Sequence, residues 1–251
     1  MQKQPWYLRT DDSRQDDRTA IFIIFCEDQN DEPDYFRGFQ TEDIKINVIE
    51  NQKQGRLNLI KTLAYCSKND FVEFKDNAYR RKEGITDNIW CVYDRDLENN
   101  DIAKVEHHDD VDFTAAIQTA EHAGLNVAWS NDAFELWVLL HFEDVPTKLK
   151  LHREYIYERL TSIFKNLPAQ ADELVAITGK KGFYYKTHLK RQKTFTPYVL
   201  PFLKDKDRRD AAITRARKIQ TKFNANTPFH DRNPCTMVHT LVEELLKYSE
   251  A

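Results

Sequence analysis

Short strand-like runs alternate with amphipathic segments along the first 147 residues of the chain. Four strands are predicted, at residues 21–26, 44–49, 88–93 and 125–129. The first and third of these runs are apolar, which is typical of parallel strands that are covered on both faces. Helical spacing of apolar residues follows each strand, at residues 31–39, 56–81, 113–123 and 133–142. This alternation predicts an α/β fold, with a mostly parallel sheet and flanking helices.

A second region, residues 148–251, has helical periodicity and no run that predicts a strand. Its best helix candidates are residues 151–167, 205–224 and 235–248. We therefore predict an α/β region over residues 1–147 and a mainly helical, basic region over residues 148–251. No apolar segment reaches the roughly 18 residues that a membrane span needs, and the polar start of the chain does not resemble a signal peptide. The sequence thus predicts a cytoplasmic protein without membrane contact.

Charge is divided unevenly between the two regions. The chain has 31% charged and 41% hydrophobic residues and a net charge of only −4, which is the composition of a globular protein. Between Lys148 and Lys222, however, 19 Lys and Arg residues accompany only 7 Asp and Glu residues. An acidic first part joined to a basic second part favours a polyanionic partner such as nucleic acid. A solvated, charge-rich helical surface explains the asymmetry equally well.

Three acidic residues directly follow predicted strands. Glu27 comes after the first strand, and Asp94 and Asp96 come after the third. Ligands gather outside the carboxyl ends of parallel strands, and residues two apart on an extended chain start on the same side. Carboxylate oxygens suit Mg²⁺ or Mn²⁺, which can polarise a phosphodiester and activate its attacking water. The pattern favours a metal centre with Glu27 as a ligand or a general base, although acids at strand ends also cap helices.

Four stretches of the sequence resemble the RloB-like (AbiL-type) family, which carries a Toprim-type nuclease domain. The Toprim fold has a Glu after its first strand and a DxD pair after its third. The matching stretches are residues 25–36, 90–96, 130–142 and 233–243, so the resemblance spans about residues 20 to 246. The chain departs from the family's usual pattern at Asp28, where Gly is commoner, and at Asp31, where Thr is commoner.

The resemblance implies a Mg²⁺- or Mn²⁺-dependent Toprim-type endonuclease that acts in bacterial anti-phage defence by abortive infection. It implies RNA, possibly tRNA, or DNA as the substrate, and an AAA/ABC-type ATPase encoded nearby as a partner. Glu27, Asp94 and Asp96 match the acidic centre of the family. The resemblance also draws attention to Glu135 as a candidate catalytic residue. Glu135 is either an acid at the edge of the core, or a fourth metal ligand or a residue that contacts the metal ligands. Residues 130 and 131 (Ser-Asn) are predicted to cap the helix that carries it.

A basic aromatic stretch in the second region is the candidate nucleic-acid-binding surface. Positive charges that neutralise phosphates, beside rings that stack on bases, are what a single-stranded nucleic acid requires. The candidate residues are Lys180, Lys181, Tyr184, Lys186, Lys190 and Arg191. The alternative is that the aromatic residues belong to the core and that the charges are solvated.

Two other functions compete with the nuclease. A catalytically silent subunit would bind nucleic acid or an ATPase while keeping the Toprim fold. A phosphohydrolase with Asp94 as a covalent nucleophile ranks last, because that chemistry needs a Thr or Ser downstream and residues 97–99 are Leu-Glu-Asn. The intact set of acids favours the nuclease. The sequence leaves the number of subunits open, a homo-oligomer included.

Overall fold

A five-stranded, mostly parallel sheet forms the centre of the protein. The computed structural model describes residues 20–50, 59–96, 107–168 and 171–249. Within these ranges the strands are β1 (Ala20–Cys26), β2 (Ile44–Ile49), β3 (Val72–Lys75), β4 (Ala78–Arg81), β5 (Asn88–Asp94), β6 (Asn126–Asn131) and β7 (Cys235–Thr236). The sheet has the order β2-β1-β5-β6-β7, and its first four members are parallel. The predicted α/β fold is confirmed, and it is consistent with a Toprim-like fold.

Helices cover both the sheet and one another. They are α1 (Asp31–Arg37), α2 (Leu59–Lys68), α3 (His107–His122), α4 (Glu135–Leu140), α5 (Arg153–Asn166), α6 (Asp172–Thr178), α7 (Tyr185–His188), α8 (Gln192–Tyr198), α9 (Leu200–Lys204), α10 (Lys206–Gln220) and α11 (Val238–Ser249). Every residue of α4 is buried, because α5 and α10 both pack against this helix. A helix that is covered on all sides needs apolar residues on all sides, which explains the run Leu136–Leu140. None of the helices in the described ranges combines the length and the hydropathy that a membrane span requires.

One long helix was predicted over residues 56–81, but the described part of this segment, residues 59–81, forms a helix and a hairpin. Residues 56–58 lie outside the described ranges. Helix α2 ends at Lys68, and β3 then pairs with β4 in a separate two-stranded sheet. The turn between these strands is Asp76-Asn77, and both residues have positive φ angles, of 52° and 59°. Asn and Asp tolerate this left-handed conformation, which the tight turns of hairpins require. The long-helix prediction was therefore wrong because turn chemistry overrode the apolar spacing.

The second region also contributes a strand, which its helical periodicity did not predict. Strand β7 pairs with β6 in antiparallel register, with Asn131 opposite Cys235. Helix α11 follows it and packs against β6 and β2. The end of the chain thus completes the sheet that the first region begins. The division of the chain at residues 147 and 148 stays a prediction.

Candidate functional site

Glu27 and Asp94 lie together at the carboxyl ends of the two central strands. Strands β1 and β5 are parallel neighbours, with Cys26 opposite Val92. The backbone N–H of Asp94 donates a hydrogen bond of 2.8 Å to Glu27 Oε2. The register of the sheet therefore brings these two acids to one edge, as their positions after two separate strands predicted.

Asp94 is held at the start of α4, among other acids. Its Oδ2 accepts a hydrogen bond of 2.8 Å from the backbone N–H of Phe134, while its Oδ1 is buried without a hydrogen-bond partner in the described ranges. Burial raises the pKa of Asp94 well above its usual value, and the charges of Glu27 and Glu135 raise it further. These effects outweigh the charge of Lys190 and the hydrogen bond from Phe134, which lower the pKa. The carboxyl of Asp94 thus lies in a crowded, poorly hydrated group of acids.

Two acids at the start of α1 extend this group, and the sequence did not single them out as site residues. Glu32 Oε2 accepts hydrogen bonds from the backbone N–H groups of Glu27 (3.1 Å) and Asp28 (3.3 Å). Burial, and then the charges of Asp94 and Asp31, raise the pKa of Glu32. Asp31 is the first residue of α1, and its buried oxygens have no hydrogen-bond partner in the described part of the chain. The available signal was the density of acids directly after a buried strand.

Lys190 brings a positive charge from the second region into this acidic group, which consists of Glu27, Asp28, Asp31, Glu32, Asp94 and Glu135. Its Nζ lies 2.7 Å from Glu135 Oε1, 3.6 Å from Asp28 Oδ2 and 4.0 Å from Asp31 Oδ2. Burial lowers the pKa of Lys190, but the charges of Asp31 and Glu135 outweigh it and raise the pKa above its usual value. Lys190 was predicted to belong to the nucleic-acid-binding surface. The structure places its ammonium among the acids instead.

Asp96 lies beyond the end of β5 and contacts α5. Strand β5 ends at Asp94, and Asp96 has a positive φ of 55°, so the extended backbone that would place both side chains on one side does not continue. Asp96 Oδ1 instead forms an ion pair with Arg153 of α5. The backbone N–H of Arg153 also donates a hydrogen bond of 3.0 Å to Asp132 Oδ2. The structure thus brings together Glu27, Asp94 and Glu135, and it ties Asp96 to α5.

The remaining residues of the predicted nucleic-acid surface lie outside the acidic group. Lys180, Lys181 and Arg191 are exposed. Tyr184 donates its hydroxyl hydrogen to Glu154 Oε2, and the Nζ of Lys186 lies 3.6 Å from Glu154 Oε1. The neighbouring rings of the stretch are buried in the core, namely those of Phe183, Tyr185 and Phe195. The exposed charges of Lys180, Lys181 and Arg191 therefore remain available to a polyanion, whereas these buried rings cannot stack on bases.

The predicted cap of α4 takes a different role. Ser130 and Asn131 belong to β6, and neither side chain caps the helix, which begins after Phe134. Ser130 Oγ instead lies 3.0 Å from Thr236 Oγ1, and the side-chain amide of Asn131 donates a hydrogen bond of 2.9 Å to the carbonyl of His230. These polar residues hold β6 to the end of the chain.

The donor chemistry of the acidic group fits a divalent cation. In the described ranges, no group of three or more His, Cys, Asp or Glu side chains has the arrangement of a ready-made metal site. Asp94 Oδ1 is nevertheless a buried carboxylate oxygen without a hydrogen-bond partner there, and the charges of Glu27 and Glu135 raise the pKa of Asp94. Hard carboxylate oxygens of this kind are the ligands that Mg²⁺ and Mn²⁺ prefer, usually one or two of them with water and phosphate. Glu27 and Asp94 are the residues best placed to supply them.

Replacing Asp31 with Asn should stabilise the fold at neutral pH and weaken the pH dependence of stability. The pKa of Asp31 rises from its usual 3.8 to about 8, because of burial and the charges of Glu135 and Asp28. Folding thus favours the protonated carboxyl of Asp31. The stabilisation that this preference gives is complete below the pKa of Asp31 in the unfolded chain, and it is lost as the pH rises through about 8. Thermal unfolding of both proteins in EDTA, across this pH range, measures the effect.

The matched control is Asp43→Asn, which removes a charge from an exposed side chain. That control should follow the pH profile of the wild type. An Asp31→Asn profile that falls as steeply as the wild-type profile would contradict the account of the acidic group.

Comparison with known proteins gives one match. The model of the family described as RloB-like protein matches residues 22–245. A search of the curated proteins and a search of the solved structures each found no match. The matched range contains every residue of the acidic group, together with Lys190 and Arg153. The chain belongs to the RloB-like family.

Proposed function

We propose that the protein is a metal-dependent endonuclease of the Toprim type, whose centre is the acidic group at the carboxyl ends of β1 and β5. The observation that carries the proposal is the meeting of Glu27 and Asp94 at this edge, with Asp94 Oδ1 buried and without a hydrogen-bond partner in the described residues. Crowded carboxylates repel one another. A divalent cation would relieve this repulsion.

Three acids of the group and two backbone N–H groups have roles in this proposal. Glu27 and Asp94 would hold Mg²⁺ or Mn²⁺, which when bound polarises a phosphodiester, activates the attacking water and stabilises the leaving oxygen. The backbone N–H of Phe134 fixes the carboxylate of Asp94. The backbone N–H of Asp94 fixes that of Glu27. Glu32 accepts hydrogen bonds from the backbone N–H groups of Glu27 and Asp28, and these bonds fix the turn that contains Glu27. The acids are thus oriented before a substrate arrives.

Membership of the RloB-like family supports the wider setting that the resemblance implied. In that setting the substrate is RNA, possibly tRNA, or DNA, and the protein acts as an effector in bacterial anti-phage defence with an ATPase partner in the cytoplasm. The exposed lysines Lys180 and Lys181 support a nucleic-acid substrate, since a phosphate backbone is attracted to such charges. Asp96 stays a proposed member of the centre, and its ion pair with Arg153 holds it beside α5.

A second candidate function is a catalytically silent subunit that keeps the fold. The observation that favours it is internal compensation of charge. Lys190 neutralises acids of the centre, and Arg153 forms an ion pair with Asp96. An acidic group that is neutralised by its own chain has less need of a metal ion.

Replacing Asp94 with Ala should slow cleavage strongly while the protein stays folded. Loss of a metal ligand removes several kcal/mol of transition-state stabilisation, and about 1.4 kcal/mol is tenfold in rate. We therefore expect cleavage to slow by a factor on the order of 10² to 10⁴. The measurement is the Mg²⁺-dependent cleavage rate of labelled tRNA, single-stranded RNA and DNA, with Asp43→Ala as the exposed control. Cleavage by Asp94→Ala near the wild-type rate would exclude the proposed centre.

Replacing Lys180, Lys181 and Lys186 with Gln should make nucleic-acid binding less sensitive to salt. For a single strand, the slope of log affinity against log salt is about −0.7 per phosphate contact. The triple variant should therefore flatten the slope by about 2 if all three lysines contact phosphates. A salt titration of labelled RNA and DNA, with Ca²⁺ in place of Mg²⁺, measures this.

The matched control replaces three exposed lysines of the first region, Lys45, Lys68 and Lys75, with Gln. This control should keep the wild-type slope. If the two triple variants have equal slopes, the lysines of the second region belong to an ordinary solvated surface. Weak binding by the wild type that does not respond to salt would instead favour the silent, protein-facing subunit.

A further inference from the structure

The ammonium of Lys190 has the surroundings of a bound cation. Carboxylate oxygens of Glu135, Asp28 and Asp31 lie 2.7 Å, 3.6 Å and 4.0 Å from its Nζ. The side chain of Lys190 is 22% exposed, while those of Asp31 and Glu135 are fully covered. The contact with Glu135 is an ion pair rather than an aligned hydrogen bond, and Glu135 Oε2 has no hydrogen-bond partner within the described ranges. The ammonium group of Lys190 thus lies where three acidic side chains converge.

The position of Lys190 is fixed by the packing of its neighbours. It lies between α7 and α8, and α8 packs against α1, which begins with Asp31. Gln192 Nε2 donates a hydrogen bond of 3.2 Å to Asp34 Oδ1, and the hydroxyl of Thr196 donates to the other oxygen of Asp34. The backbone therefore holds the ammonium beside α1. Buried charges are costly to desolvate, and the nearby carboxylates of Glu135 and Asp28 offset this cost for the ammonium of Lys190.

The acids of the centre divide into two groups by their contacts. Glu135, Asp31 and Asp28 surround Lys190. Glu27 and Asp94 are joined by the hydrogen bond from Asp94 N to Glu27 Oε2, and Asp94 Oδ1 is the buried oxygen without a hydrogen-bond partner in the described part of the chain. The first group already has a cation, and the second has an oxygen that can accept one.

We propose that Lys190 takes the place of one cation in this centre, so that the protein binds a single divalent cation, at Glu27 and Asp94. This inference rests on the proposed function, because it concerns the metal content of the same site. Two-metal phosphodiester centres hold their ions about 3.5–4 Å apart. A fixed ammonium supplies the second positive charge from within the chain, and it repels a further divalent ion from Glu135 and Asp31.

The number of Mn²⁺ ions bound per chain tests this assignment without any measurement of cleavage. Isothermal titration calorimetry, with electron paramagnetic resonance of the bound Mn²⁺, gives both the number and the affinity. The wild type should bind one ion, and Lys190→Met should bind two, because Glu135, Asp31 and Asp28 lose their ammonium. Lys193→Met removes an exposed lysine three residues away and should still bind one ion. Two ions in the wild type, or one ion in Lys190→Met, would overturn the inference and leave the proposed function intact.

The variant Glu135→Gln tests the same inference if Lys190→Met does not fold. In the proposed arrangement Glu135 serves Lys190 rather than the metal, so Glu135→Gln should bind one Mn²⁺ with an affinity within about threefold of the wild-type value, or about 0.7 kcal/mol. A loss of affinity on the order of tenfold or more in Glu135→Gln would make Glu135 a metal ligand and overturn the inference. A wild type that binds no Mn²⁺ would overturn the metal-dependent function itself, and this inference with it.

Discussion

The crowding of carboxylates at one edge of the sheet is the constraint on which the rest of the site depends. Parallel strands deliver their following residues to the same edge, and β1 and β5 deliver Glu27 and Asp94 there. The first turn of α1 adds Asp31 and Glu32, and α4 adds Glu135. Burial and mutual repulsion raise the pKa of Asp31, Glu32 and Asp94. Such a group is stable only if positive charge or hydrogen-bond donors surround it.

Backbone N–H groups and basic side chains both stabilise these acids. The backbone N–H of Asp94 donates a hydrogen bond to Glu27, and the backbone N–H of Phe134 donates one to Asp94. Side chains of the second region supply the positive charge, through Lys190 at Glu135 and Arg153 at Asp96. The basic character of the second region is therefore partly internal compensation for the acids of the first. Lys180 and Lys181 remain exposed and are left for an external polyanion.

Local patterns predicted the parts of the site that depend on local structure. Apolar runs indicated β1 and β5, and the acids that follow them do lie at one edge of the sheet. The contact of Asp96 with Arg153 was not predicted, because residue spacing does not reveal the left-handed backbone that follows the strand. Lys190 lies far along the chain from Asp28 and Asp31, and the packing of α8 on α1 brings them together. Strand β7 has only two residues, too few for a periodic signal. Tertiary packing decided each of these features.

Anomalous diffraction from a crystal grown with Mn²⁺ tests most directly whether the acidic edge is a cation centre. We expect a strong anomalous peak at the carboxyl ends of β1 and β5, in contact with Asp94 Oδ1 and the carboxylate of Glu27. The Nζ of Lys190 should remain beside Glu135 in the same crystal. A saturated crystal with no peak at this edge, or with Mn²⁺ bound only elsewhere, would show that the acidic edge is not a cation centre.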